Sequence, residues 1–583
     1  MIRRTAHYSP PCHPSGLGPQ PDRTALIHLE GVAKEALETG RTRLMVTGLV
    51  FALAFFVIGL RLVEVGLFGA SDAPQLARQI ANAGTAMRGD IVDRNGILLA
   101  TSMRSASLFA DPRQIRNPAQ TAELVASVVP DLSKPDLAAK LADDKSFVWI
   151  KRNLTPRQQH GVNRLGIPGL YFKAEEQRIY PHGPLVSQVV GFTDIDNNGL
   201  AGIERAFDDA LNGAAEPLEL SLDLRIQHIM AEELAAAMDE FRAIGGAGVV
   251  LDATTGEILA LVSLPTFDPE RPGAAGKEAL FNRASLGVYE MGSVFKIFTT
   301  AMALDQGSVA LEDGFDVSKP IRVARYTIRD FKPKNRVLSV PEIFVYSSNI
   351  GTVHIAMAAG TQSQRTFLGQ LGLTAPARIE LPEIGQPMLP SPWREINTMT
   401  ISYGHGLAVT PVQLTGAVGA VVNGGELRPT TLLKRLHGEA VLGERVIRPE
   451  TSELMRGLMR LVVLSGTGRK ANAPGYQVGG KTGTADKLVG RRYADDARIA
   501  SFVGAFPMRD PRYVVFAMVD EPKGHEGTHG YATGGWVAAP VIRRVVERMG
   551  PLVGIHPSAP EDVAAFEAAL IPSKAKEPIV AAN

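Results

Sequence analysis

The hydrophobic pattern of the chain opens with an uninterrupted apolar run, Leu44 to Leu60, of 17 residues without a charge. As a helix at ~1.5 Å per residue it spans about 26 Å, slightly under the ~30 Å hydrocarbon core of a bilayer. Arg61 can snorkel to the interface, and Leu62 to Phe68 continue the pattern with only Glu64 interrupting. This predicts one transmembrane helix over residues 44–66, with the bulk of the chain exported. A cleaved signal peptide and a buried core helix are the alternatives; the 43 residues ahead of the run are long for a signal leader. Arg41 and Arg43 favour a cytoplasmic segment 1–43. Its prolines, Pro10, Pro11, Pro14, Pro19 and Pro21, predict an unstructured start.

From about residue 70 to 215 short strand-like runs alternate with turns. Gly89 to Val92 and Ile97 to Ala100 flank Asp93-Arg94-Asn95-Gly96, where Asn-Gly suits the positive φ of a tight hairpin. Glu216-Pro217 then breaks the chain. Ile226, Ile229, Met230, Leu234 and Met238 recur at helical spacing behind Asp223, a candidate N-cap. Gly248 to Leu251 and Ile258 to Ser263, joined by Ala253 to Glu257, predict a hairpin. Further strands are expected at Tyr476–Gly479, Ala500–Phe506 and Tyr513–Val519, with helices between the early and late strands. The expected architecture is a sheet with a helical insertion, and residues 553–583 read as a tail.

Composition narrows the classes of function. The 583 residues carry 61 Lys+Arg against 60 Asp+Glu, which gives no electrostatic support for a nucleic-acid or polybasic membrane binder. A hydrophobic content of 45% with 21% charged residues excludes a largely disordered chain. The one cysteine, Cys12, excludes an internal disulfide framework and a cysteine-rich zinc site.

Three short motifs then follow in order. Ser293-Val294-Phe295-Lys296 puts a hydroxyl and an amine three residues apart, on one face if helical. Serine is a poor nucleophile without an adjacent base, and lysine is a base only when neutral, which burial or a second cation promotes. Ser347-Ser348-Asn349 offers a proton relay in Ser347 and an amide in Asn349. Lys481-Thr482-Gly483-Thr484 continues a predicted strand, with Lys481 and Gly483 on one face and the two threonines on the other. A strand edge beside the serine can bind an extended peptide, and Gly483 lets it approach closely. Each motif alone is weak: Ser573 and Lys576 repeat the Ser-x-x-Lys spacing in the tail.

The ordered set resembles the penicillin-binding protein and serine β-lactamase superfamily. Arg88 to Gly96, Arg178-x-Tyr180-Pro181 and Gly202-Ile203-Glu204 resemble the pedestal signatures of class B members. Ser402 to Gly406, Thr410-Pro411 and Asp520-Glu521-Pro522 resemble the division-specific, FtsI-type members; Met291 and His405 depart from the usual pattern. The resemblance implies an α+β fold: a pedestal over 67–216 and a transpeptidase domain over 217–552 with an antiparallel sheet. It implies a serine D,D-transpeptidase that cross-links D-Ala-D-Ala stem peptides of nascent peptidoglycan and is acylated by β-lactams, without cofactor or metal. Catalytic roles would fall to Ser293, Lys296, Ser347, Asn349 and Lys481, with Thr482, Gly483 and Thr484 contacting substrate. The backbone N–H groups of Ser293 and Thr484 would form the oxyanion hole. No glycosyltransferase signature precedes residue 215, so an FtsW-type polymerase is the implied partner at the septum; an elongation-type member is the alternative. A β-lactam sensor and an inactive structural partner are the other classes, disfavoured by the single span and the intact motifs. His525 and His529 could suggest a metal site, and Arg88-Gly89-Asp90 adhesion, but a solvated loop and the pedestal signature account for them.

Overall fold

The computed structural model describes residues 32–67, 87–323, 326–436, 438–439, 441–489 and 492–570. Cys12, the proline-rich start and the Ser573/Lys576 pair lie outside them. The chain divides into two units, one through Thr85 and one from Ala86 onward. The first holds α1, Val32–Leu67, whose described side chains from Leu44 to Leu60 are exposed apart from Gly59. The apolar run is therefore helical, as expected. Among the described residues, however, no helix is long and apolar enough to cross a membrane. The uncharged stretch covers 17 residues, a few ångströms short of a bilayer core.

The second unit begins with a sheet of β1 (Ile91–Val92), β2 (Leu98–Ala110), β3 (Val148–Leu154), β4 (Leu170–Ile179) and β5 (Leu218–Glu219). Its order is β3-β2-β1-β5, with β4 also paired to β2. The β1–β2 turn forms where expected but by a different device. Only Gly96 has positive φ (+81°), while the Asp93 carboxylate accepts from the backbone of Asn95 (2.7 Å) and Ile97 (2.9 Å). Three helices, Pro118–Val128, Lys134–Leu141 and Pro156–Leu165, close a small core around Leu108, Val125, Leu141 and Ile150. The sequence signatures converge on Glu204, which is fully buried and accepts from Arg88 Nε and Arg178 Nε, both at 2.7 Å. Arg88 is 3% exposed, so Arg88-Gly89-Asp90 is no displayed adhesion motif.

The larger region is built on an antiparallel sheet. After α2 (Leu224–Glu240) come β6 (Gly245–Asp252) and β7 (Ile258–Leu264), the predicted hairpin. The Asp223 side chain caps α2 by accepting from Arg225 N. The insertion carries α3 (Lys296–Asp305), α4 (Val340–Tyr346), α5 (Asn349–Ala359), α6 (Pro411–Val422) and α7 (Pro449–Ser465). The chain then returns through β8 (Gly479–Val489), β9 (Arg492–Phe506) and β10 (Tyr513–Asp520), and ends in α8 (Gly534–Met549) and α9 (Pro560–Leu570). Sheet order is β8-β9-β10-β6-β7, leaving β8 at an edge.

Both faces of the sheet are covered. Val250, Val262, Val515 and Phe502 pack with residues of α2 and α8 on one side, and Val249, Leu261, Phe516 and Val503 with the insertion helices on the other. Burial on both faces explains why Tyr513–Val519 reads as a continuous apolar run rather than an alternation. Two expectations shift. The strand expected at Tyr476 begins at Gly479, because Gln477 has φ +52°, outside strand geometry. The stretch read as a tail contains α9: Leu570 joins the core, and Glu567 lies 2.6 Å from the buried Arg460.

Candidate active site

Ser293 sits in a 3-10 turn, Gly292–Phe295, that runs directly into α3 at Lys296. Residues i and i+3 eclipse in such a turn, so Ser293 and Lys296 stack one above the other. Ser293 lies in the first turn, where its N–H has no intrahelical partner, and among the described residues its hydroxyl makes no hydrogen bond. The turn is pinned by close backbone approach. Gly292 has φ +51°, and a Cβ there would lie 2.4 Å from Thr484 O. At Gly483 a Cβ would lie 2.5 Å from Met291 O and 2.3 Å from Ser501 Oγ. The edge strand and the serine turn thus touch at glycines, for which any other side chain is too large.

The second motif bridges the other two. Ser347 caps the C-terminus of α4 in the left-handed region, φ +61° and ψ +42°. That conformation is uncommon for serine and is a form of local strain. It holds Oγ between two amines: Lys296 Nζ donates to it at 3.1 Å and Lys481 Nζ at 2.9 Å. Lys296 Nζ also donates to Ser347 O (2.5 Å) and Asn349 Oδ1 (2.8 Å). Both lysines are fully buried. Burial, then the field of Lys481, pulls the Lys296 ammonium well below the usual lysine range, against the opposing charge of Asp330. Burial alone pushes Lys481 down to about 7. The arrangement sets one serine hydroxyl between two amines whose burial favours their neutral forms.

The residues of the Lys481 motif divide as the strand period requires. Lys481 and Gly483 face the insertion, whereas the Thr482 hydroxyl meets Thr467 Oγ1 at 2.7 Å and Thr484 Oγ1 accepts from Gly534 N at 3.1 Å. Two contributors were invisible to sequence reasoning. Asp330 accepts from Ser348 Oγ (2.7 Å), Asn349 N (2.6 Å) and Ile350 N (3.0 Å), which fixes the start of α5 and with it Asn349. Thr467 is the second. Both lie outside the motifs, and no local pattern marks them.

His405 is half-buried beside Tyr403 and Tyr493, its Nδ1 buried and unpartnered among the described residues. Burial lowers its pKa below the usual histidine value, against the opposing charges of Glu290 and Asp486. His525 and His529 engage different neighbours: His525 Nδ1 accepts from Gly527 N, and the His529 ring meets Trp536 edge-on.

Residues 246–547 match the penicillin binding protein transpeptidase domain and residues 83–223 the penicillin-binding protein dimerisation domain. The chain belongs to the class B penicillin-binding proteins. This penicillin-binding protein is a peptidoglycan D,D-transpeptidase, an acyl-transfer enzyme that acts on stem peptides and binds β-lactams. It is 40% identical over 482 residues to a probable peptidoglycan D,D-transpeptidase FtsI of Caulobacter vibrioides, covering 80% of this chain and 82% of the relative. It is 31% identical over 569 residues to stage V sporulation protein D of Bacillus subtilis, covering 89% and 87%. Among solved structures it is similar to penicillin binding protein 3 of Mycobacterium tuberculosis in complex with aztreonam. The TM-score is 0.64 at 26% identity, with 82% of this chain and 98% of that one covered.

Proposed function

We propose that this penicillin-binding protein is the division-specific transpeptidase of its cell and that Ser293 is its nucleophile. Lys296 takes the Ser293 hydroxyl proton as Oγ attacks the carbonyl carbon of the penultimate D-alanine. The N–H groups of Ser293 and Thr484 stabilise the oxyanion. When the C–N bond breaks, the leaving D-alanine amine receives a proton through Ser347 from Lys481. Thr482 and Thr484 hold the substrate carboxylate and Asn349 its amide. Lys296 passes its proton through Ser347 to the now neutral Lys481 and becomes a base again; when an amine of a second strand attacks the acyl ester, Lys296 takes its proton and returns it to Ser293 Oγ as the ester C–O bond breaks. The observation that carries this reading is Ser347 Oγ lying within hydrogen-bond distance of both lysines.

In this reading residues 44–66 of α1 anchor the protein, residues 1–43 face the cytoplasm and the catalytic domain faces the periplasm. The polymerising partner is of the FtsW type, since the matched domains contain no polymerase. The FtsI name of the Caulobacter relative supports the septal role. Ser293→Ala is expected to abolish covalent labelling by a fluorescent penicillin while the melting temperature stays within a few degrees of wild type. Undiminished labelling would overturn the nucleophile. Depletion is expected to give filaments; round, swollen cells would assign the protein to elongation instead.

A further inference from the structure

Three segments that contact the Ser347 and Lys481 motifs each send a side chain to one place on the rim of the site. Gly535, at the start of α8, packs where a Cβ would lie 3.6 Å from Thr482 Cγ2, and Trp536 follows it. Lys470 lies three residues past Thr467, the hydroxyl partner of Thr482, and its Nζ is 4.2 Å from the Trp536 ring centroid. Lys332 lies two residues past Asp330, the carboxylate that fixes Asn349, and its Nζ is 5.9 Å from the Tyr531 ring centroid. Tyr531 and Trp536 are nearly parallel, 11° apart with centroids separated by 6.4 Å. The Lys332–Tyr531 contact therefore joins the Asn349 side of the site to the Thr484 side.

Packing does not account for these side chains. Tyr531, Lys332 and Lys470 are exposed and Trp536 is half-buried, and neither ring belongs to a hydrophobic core. Phe331, beside Lys332, is 76% exposed. The rim is also cationic: from Lys319 to Arg336 the sequence holds one acidic residue, Asp330, and that one is committed to α5. Two ammonium heads set against two flat rings suit a ligand that carries carboxylates beside flat apolar faces. Peptidoglycan strands have that chemistry, with peptide carboxylates next to sugar rings.

We infer that Lys332, Lys470, Tyr531 and Trp536 form a subsite that grips a carboxylate-bearing peptidoglycan strand outside the catalytic centre. The inference rests on the transpeptidase reading and adds to it a determinant of strand binding that small β-lactams do not use. The test takes full-length protein in detergent with Lys332→Glu and Lys470→Glu combined, and separately Trp536→Leu. Two rates are read: labelling by a fluorescent penicillin, and cross-linking of purified uncross-linked peptidoglycan strands. Cross-linking is expected to fall about tenfold, and to lose its sensitivity to salt in the charge-reversed variant, with labelling within about twofold of wild type. Slower acyl-enzyme formation from strands alone would assign the subsite to the donor strand. Normal acylation with slow transfer would assign it to the acceptor. Unchanged cross-linking, or labelling that falls in parallel, overturns the subsite. Wild-type protein that fails to label overturns the catalytic reading itself.

Discussion

Lys481 shows how a single residue is tuned at the expense of stability. Its ionisation falls from the ordinary 10.5 to about 7 because it is buried. Between those values the unfolded chain holds the proton that the folded chain has lost, so stability rises with pH across that window. The cost is complete below about pH 7 and absent above about 10.5. Lys481→Met keeps an unbranched stem and removes the charge. It is expected to melt several degrees above wild type at pH 7, on the order of 3–5 kcal/mol, with the gap closing toward pH 10.5. Penicillin labelling should be lost. Thermal melts at pH 7, 8.5 and 10 check this, and a gap that does not change with pH would argue against a buried ammonium. Ser347 shows the limit of sequence reading at this scale. A serine in Ser-Ser-Asn looks like a cap, and nothing local reveals that its φ of +61° turns Oγ toward two lysines remote in sequence.

At the scale of elements, the start of α5 connects stability to chemistry. The Asp330 carboxylate accepts from two orphan N–H groups and from the Ser348 hydroxyl there, and its charge also raises the Lys296 pKa against burial. Asp330→Asn keeps an acceptor and removes the charge, so Lys296 should lose its proton more readily. The acid limb of the penicillin acylation profile is expected to move to lower pH, with a stability loss of about 1–2 kcal/mol. An acid limb at the wild-type position would separate Asp330 from the base. Element boundaries were legible where one residue decides them, as at Asp223 before α2. They were misplaced where backbone geometry intervenes, as at Gln477 before β8. α9 was missed because its binding depends on a partner, Arg460, that its own sequence does not announce.

At the scale of the whole molecule, the pedestal and the catalytic region form one compact unit in which distant segments share buried charges. Glu204 holds both Arg88 and Arg178 out of water. Removing one partner from such a cluster leaves charge unpaired, which costs more than the intact cluster contributes. Glu204→Ala is expected to destabilise the pedestal by about 3–5 kcal/mol. Limited proteolysis should cut first between residues 87 and 223, while labelling of the surviving catalytic region persists. Simultaneous loss of both would mean that the two parts unfold as one.

The amino-acid sequence by itself determined the apolar run, the strands and helices with strong periodicity, the three motifs in order and the family they resemble. Each of these depends on side-chain type at fixed local spacing, which folding does not alter. Tertiary structure alone decided that Ser347 lies between Lys296 and Lys481, that Asp330 and Thr467 support them, and that both amines are buried enough to give up a proton. Those properties depend on distance and dielectric between residues up to 185 positions apart, as Lys296 and Lys481 are. Only the packed sheet and its helical insertion bring such residues together and exclude water from them.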